Sequence, residues 1–162
     1  MKLVTIGAFG FSEEGFFQAL QEAGVDTFCD VRQRRGVRGA EYAFVNSHRL
    51  QARLAEMGIR YLHVKELAPT TAVRAQQHLA DKTEKTAKRQ RTHLSPAFIA
   101  TYKSEILNPF DPQSLRAILP PDAEVVALFC VEREPAACHR SLIAERLAQV
   151  WGVAVENIIS KQ

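Results

Sequence analysis

The chemistry-bearing groups of this chain crowd into one stretch near its C-terminal end: Cys130-Val131-Glu132, then Pro135, then Cys138-His139-Arg140. Helical apolar spacing resumes directly afterwards, so a helix should begin near Cys138. The free N–H groups and positive dipole end of a helix start favour an anion. A thiol placed there is acidified. Arg140 can grip a carboxylate or phosphate through two parallel hydrogen bonds, and His139 can carry a proton near neutral pH. A second stretch, Asp30-Val31-Arg32, adds a carboxylate that could orient Arg140 or act as a base, and another guanidinium. The catalytic candidates are therefore Cys138, His139 and Asp30. The candidates for substrate or anion binding are Arg32, Arg140, Glu132 and Gly7. Each has a plainer reading as well: Cys130 as a small core residue, Cys138 as inert packing, Asp30 and Arg140 as a structural ion pair, His139 as a cap on a carbonyl. Taken singly the plainer readings are commoner; the gathering of all these groups favours a site.

Two further patterns involve the cysteines. Cys29-x5-Arg35 has the cysteine–arginine spacing of phosphatase and sulfurtransferase loops, but Gly36-Val37-Arg38-Gly39 follows where such a loop needs a helix, so it reads as a chance match. Cys130, Glu132, Cys138 and His139 are all metal-ligand types. Their spacing is not that of a zinc finger and one region supplies them all, so no metal site is assigned from sequence.

The elements that must position these groups are legible in apolar periodicity and caps. Leu3–Ile6 reads as a strand stopped by Gly7. Ser12 opens a helix with Glu13 and Glu14 in its first turn and Phe16, Phe17, Leu20 and Ala23 on one face, and Gly24 ends it. Val25–Val31 is a second strand. Asn46 or Ser47 starts a helix with the stripe Leu50, Leu54, Met57, closed by Gly58. Ile59–Val64 is a third strand. Residues 71–92 are helix-prone but polar, with a thin stripe (Val73, Leu79, Ala80, Ala87), and suggest a surface helix or a partly mobile insertion over about 70–93. Ser95-Pro96 and Asp111-Pro112 each start a helix; the first carries Phe98, Ile99, Tyr102 and Ile106. Val125–Cys130 is the most continuous apolar run, as in a strand covered on both faces. The helix after Pro135 buries Leu142, Ile143, Leu147, Val150 and Trp151 and stops at Gly152, and Val153–Ile159 is a last strand.

Alternation of strands and helices predicts right-handed crossovers and a mostly parallel sheet flanked by helices, a three-layer α/β sandwich. The expected organisation is a single domain over residues 1–162. In such a sheet ligands bind beyond the carboxyl ends of the strands. The segments found there are Gly7-Ala8-Phe9-Gly10, Asp30-Val31-Arg32, Lys65-Glu66 and Cys130 to Arg140.

Charge is uneven although the net value is only +3. Six arginines and one acid lie between Arg32 and Arg53, and six basic residues and two acids between Arg74 and Arg91. Such clusters suit an anionic partner, a small molecule or a nucleic acid. No apolar run approaches the ~18 residues of a membrane span, and no secretory leader is recognisable. Three cysteines, an odd number without framework spacing, point to the cytoplasm. No cofactor or oligomeric state is indicated.

On these motifs the sequence resembles the domain-of-unknown-function 488 (DUF488) family. The matching pieces are Thr5-Ile6-Gly7 with the Phe-rich helix, Val25 to Arg32, Gly58-Ile59-Arg60-Tyr61, and Cys130-Val131-Glu132 with Pro135 and Cys138-His139-Arg140. The resemblance implies an α/β sandwich and marks Asp30, Arg32, Cys130, Glu132, Cys138, His139 and Arg140 as signature positions. It implies no reaction. The basic run Gln33 to Gly39 and the stretch Glu66-Leu67-Ala68-Pro69 depart from the family pattern. Three readings stay open here: an enzyme acting on a phosphorylated, nucleotide or nucleic-acid substrate through the Cys-His-Arg helix start, a non-catalytic nucleic-acid-binding module, and a metal-binding protein using Cys130, Cys138 and His139.

Overall fold

A computed structural model describes residues 1–87 and 90–161. Lys88 and Arg89, within the polar stretch expected at 71–92, lie outside the described residues. Strands β1 (Lys2–Ile6), β2 (Thr27–Asp30), β3 (Arg60–His63), β4 (Val125–Phe129) and β5 (Ala154–Ile158) form one sheet in the order β3-β2-β4-β1-β5, with every pair parallel. Among the described residues six α-helices surround it: α1 (Glu13–Glu22), α2 (Ser47–Glu56), α3 (Thr71–Glu84), α4 (Pro96–Tyr102), α5 (Pro112–Ile118) and α6 (His139–Trp151). This is the α/β sandwich anticipated from the alternation of elements.

Register decides what the sheet can present. Asp30 lies opposite both His63 and Phe129, and Phe129 lies opposite Ile6. The loops leaving β1, β2 and β4 therefore start side by side. The crossovers β1→β2 and β2→β3 run one way along the sheet and β4→β5 runs the other, so right-handedness puts α1 and α2 on one face and α6 on the opposite one. Between β4 and β1 the direction reverses, and there an open sheet leaves a crevice at its carboxyl edge.

Sequence chemistry explains the helix starts. Ser12, Thr70 and Ser95 each accept a hydrogen bond from a backbone N–H in the first turn, and prolines occupy the first turn of α4 and α5. The core on the α1 face is aromatic: the Phe16 ring meets Phe17, Phe28, Phe44 and Phe129 at centroid distances of 5.2–6.4 Å. On the other face Tyr102 of α4 sits edge-on to His139 of α6, centroids 5.6 Å apart.

Two large apolar residues expected on buried helix faces are exposed instead, as is Ala87 beyond the end of α3. Leu79 is 65% accessible, because α3 turns Val73 and Gln77 inward and Leu79 falls on the opposite side. Val150 is 42% accessible, beyond the buried face of α6 formed by His139, Arg140, Ile143, Ala144 and Leu147, while its neighbour Trp151 is half-buried against the core. No helix among the described residues is long and apolar enough to cross a membrane.

Candidate functional site

At the carboxyl edge of β2, Asp30 is fully buried. The Arg32 guanidinium meets it with two bonds, Nε to Oδ1 at 2.9 Å and Nη2 to Oδ2 at 2.8 Å, and the Arg32 backbone N–H adds a third at 3.2 Å. Tyr61 donates its hydroxyl to Oδ2 at 2.7 Å. Burial is the first cause that raises the Tyr61 hydroxyl, to about 12, so it remains a donor. Arg32 Nη2 also reaches the Val45 carbonyl at 2.9 Å, and the guanidinium lies 4.7 Å from the centre of the Phe129 ring. Arg32 Nη1 is buried and has no hydrogen-bond partner among the described residues.

At the carboxyl edge of β4, Cys138 caps α6: its Sγ accepts the Arg140 N–H at 3.5 Å. A 3₁₀ turn, Pro135–Ala137, delivers the chain to that cap. His139 comes next, wholly inside, with Nε2 2.8 Å from the Val31 carbonyl oxygen. A carbonyl only accepts, so Nε2 carries the proton and Nδ1 keeps its lone pair. Nδ1 lies 3.7 Å from Cys138 Sγ, and the donor atoms of Cys130, Cys138 and His139 all fall within 4.8 Å of one another. Cys130 also donates to Glu132 Oε2 at 3.0 Å. The neighbouring Cys138 side chain, with burial, raises the Cys130 thiol to about 11. Burial alone would lower His139, but the Cys130 sulfur, the Val31 carbonyl and Glu132 outweigh it and the imidazole is raised.

A cavity of about 590 Å³ opens over this cluster. Cys130, Glu132, Cys138 and His139 line it from the β4 side and Arg32, Arg34 and Arg38 from the β2 side. The far wall is built by α3 and the segment between α3 and α4: Arg74, Gln77, His78, Arg91 and Leu94, with Phe98 of α4 beside them. Among the described residues five arginines and a single carboxylate, Glu132, line the space; Arg32 and Arg91 are paired with acids, so Arg34, Arg38 and Arg74 give the pocket its net positive character. Arg91 ties the far wall down. It pairs with Asp81 through Nε at 3.2 Å and Nη2 at 2.5 Å, and its Nη1 reaches Glu132 Oε1 at 3.4 Å. Gln77, buried on α3, donates to Asp81 and accepts the Ser95 N–H at 2.7 Å.

Asp30 and Arg140 are not brought together. Arg140 is fully buried behind the cluster and absent from the cavity wall; its Nη1 donates to the Glu132 carbonyl at 2.6 Å and its Nη2 to the Arg133 carbonyl at 3.1 Å. It pins the Cys130–Arg133 loop to α6. Gly7 serves the same junction, since a Cβ there would lie 1.8 Å from the Glu132 carbonyl oxygen. Cys29 sits inside β2 with its thiol raised to about 12 by burial and the adjacent Asp30, remote from any loop of the phosphatase kind.

Sequence reasoning missed that α3 walls the site, although it marked the Arg74–Arg91 basic cluster as suited to an anionic partner, and it missed the Tyr61–Asp30 bond. A signal existed for the first: Gln77 sits four residues after Val73 and four before Asp81, a polar residue on the inward stripe of a helix.

Fold and site together define a parallel α/β protein with an electropositive pocket at the carboxyl edge of its sheet. The chain matches the family described as domain of unknown function DUF488 over residues 12–147, and it belongs to that family. No curated protein and no solved structure matches it.

Proposed function

We propose that this protein is an enzyme acting on a phosphate-bearing small molecule of the nucleotide class, bound in the 590 Å³ cavity. The observation that carries the reading is Arg32. Arg32 lines the cavity, and its buried Nη1 has no hydrogen-bond partner among the described residues; leaving such a charged donor unsatisfied costs about 1–3 kcal/mol or more. An anion oxygen entering beside Arg32 would supply the missing acceptor. Arg34 and Arg38, both exposed on the rim, add charge that steers an anion inward. The volume falls in the range of small-molecule sites, about 300–1,000 Å³, and Phe9 and Phe98 give it an apolar wall against which a base can pack.

In this reading Arg32 binds the anion, and the reacting groups lie at the cavity floor: Cys138, His139 and Glu132. Asp30, held by Arg32 and Tyr61, orients the guanidinium. Arg140 and Gly7 fix the loop that carries Cys130 and Glu132.

Calorimetric titration with pyrophosphate and a panel of nucleoside phosphates at low salt tests the proposal. Binding of pyrophosphate, weakened at least tenfold in an Arg34→Ala/Arg38→Ala variant, is expected, as is turnover of one nucleotide that Cys138→Ser abolishes. If no phosphate compound binds, or if affinity ignores both arginines, the pocket does not recognise phosphate. Binding without any turnover across the panel leaves a binding protein and removes the enzyme.

A further inference from the structure

The floor of the cavity has a geometry beyond what a thiol nucleophile requires. We infer that Cys130, Cys138 and His139 form a binding site for a soft divalent cation of the zinc type, with three protein ligands and a fourth position open to the cavity beside Glu132. The site rests on its own geometry, and only the substrate approaching the open position depends on the reading above.

Three observations carry it independently. The first is spacing. A tetrahedral ion at about 2.3 Å from sulfur and about 2.0–2.1 Å from nitrogen separates those two ligands by about 3.6 Å. Cys138 Sγ and His139 Nδ1 are 3.7 Å apart, and the Cys130 sulfur is within 4.8 Å of both. The second is the tautomer. The Val31 carbonyl takes the Nε2 proton at 2.8 Å and leaves the Nδ1 lone pair facing the two thiols. A metal-bound histidine is held in this way, by its second nitrogen on a carbonyl or carboxylate. The third is the surroundings of the sulfurs. Cys138 caps α6, its Sγ accepting the Arg140 N–H at 3.5 Å, and the Arg140 guanidinium locks the loop carrying Cys130 against the helix start carrying the other two ligands.

The donor set selects the ion. Two thiolates and one imidazole suit zinc or another soft divalent metal and disfavour magnesium and calcium, which take oxygen. Sites closed for structure use four protein ligands, while three ligands and an accessible fourth position are the catalytic arrangement. The cluster supplies three mutually close donors, all lining the cavity. Glu132 stands next to them, hydrogen-bonded to the Cys130 sulfur, with its other oxygen toward Arg91. A bound ion would acidify a water in the open position, and the Glu132 carboxylate, beside the Cys130 sulfur, would be the group to take that proton. In this arrangement Cys138 serves as a ligand to the ion, and the chemistry it supports is hydrolysis.

The test begins with wild-type protein stripped by chelator and titrated with cobalt(II) and zinc(II). One ion per chain is expected. Cobalt should develop the thiolate charge-transfer band and the intense visible bands of a tetrahedral ion, and X-ray absorption of the zinc form should show two sulfurs with one nitrogen. No stoichiometric uptake, or a first shell without sulfur, overturns the inference with no variant needed. Cys138→Ser and His139→Gln should lower affinity at least 100-fold, and Cys29→Ser should leave it unchanged. Glu132→Gln should keep the metal; its loss there would make Glu132 the fourth ligand and remove the open position. Phosphate binding is read on the same metal-free protein. Metal uptake without phosphate binding sinks only the substrate reading, and phosphate binding without metal uptake sinks only this one.

Discussion

The two edges of the sheet use the same residue types to different ends. At the amino edge, Asp26 accepts the backbone N–H groups of Glu124 and Val125 at 2.8 and 2.9 Å, and Thr27 donates to its other oxygen. Arg60 bridges Asp26 and Asp122, and Lys2 pairs with Glu156. These groups are partly or largely exposed, and their hydrogen bonds register β2, β3 and β4 at their starts. At the carboxyl edge both members of an Asp–Arg pair are at most 4% exposed, yet the arginine, which lines a cavity, keeps one nitrogen without a partner among the described residues. Beside it thiol, imidazole and carboxylate point at each other. Polar groups that complete their bonds with backbone and solvent hold a fold together. Buried polar groups whose bonding is left incomplete, facing a cavity, make the carboxyl edge the place where chemistry can happen.

The largest expected effect sharpens this contrast. Arg32→Ala strands the Asp30 carboxylate in the core and should cost about 3–5 kcal/mol, measured as a lowered denaturant midpoint at unchanged slope. Arg60→Ala, which removes the exposed arginine of the other edge, should scarcely move the midpoint. Equal losses at the two edges would break the comparison. Next comes Gly7→Ala. A Cβ 1.8 Å from the Glu132 carbonyl oxygen and 3.2 Å from Arg140 Nη1 forces the β4 loop outward, at about 2–3 kcal/mol for overpacking. The displaced Cys130 should also weaken metal uptake, because the loop carries one ligand. Normal uptake in a destabilised Gly7→Ala protein would separate the loop junction from the site.

Legibility in the sequence divides along the same line. Strand ends, capped helix starts and the parallel sheet are local or nearly local properties: Ser12, Ser95-Pro96 and the Val125–Cys130 run announce themselves within a few residues. The edge that gathers Asp30, Arg32, Cys130, Cys138 and His139 is dictated by the rule for open parallel sheets. Partnerships are not. Asp30 chooses the arginine two residues away rather than Arg140, because the chain turns at Val31 and returns the side chain onto its own strand end. Arg140 instead finds carbonyls made available only by the shape of the loop at 132–133. The α3 wall is invisible for a related reason. Its inward residues include Gln77, whose burial is stabilised by Asp81 and Ser95, and a polar residue satisfied by such neighbours looks like a solvated one in sequence.

Tyr61→Phe removes one bond to the buried carboxylate and leaves Arg32 in place. A hydrogen bond to a charged group is worth about 1.5–3 kcal/mol, and Tyr61 is half-buried, so a loss near the lower end is expected. Its ring stacks on Phe28 at 6.1 Å and stays. A calorimetric loss as large as that of Arg32→Ala would mean that Tyr61, and not the arginine, holds Asp30.

The smallest effect belongs to the amino edge and is read through pH. Burial would raise Asp26, but the N–H groups of Val125 and Glu124, the Thr27 hydroxyl and the Arg60 charge more than offset it, and the carboxyl is held below its usual value of 3.8. A depressed folded pKa means that the unfolded chain takes up the proton first as pH falls, so stability rises with pH through that interval. The contribution of Asp26 is complete above about pH 4 and is lost as pH drops through its folded pKa. Asp26→Asn should cost about 1 kcal/mol at neutral pH, since the amide keeps one acceptor for the β4 N–H groups but not the charge. The gap between parent and variant should then close on acidification below about pH 4. A gap that persists unchanged at low pH would show that Asp26 acts by shape alone, and that the amino edge, like Arg140 behind the cluster, is held by hydrogen-bond geometry without help from ionisation.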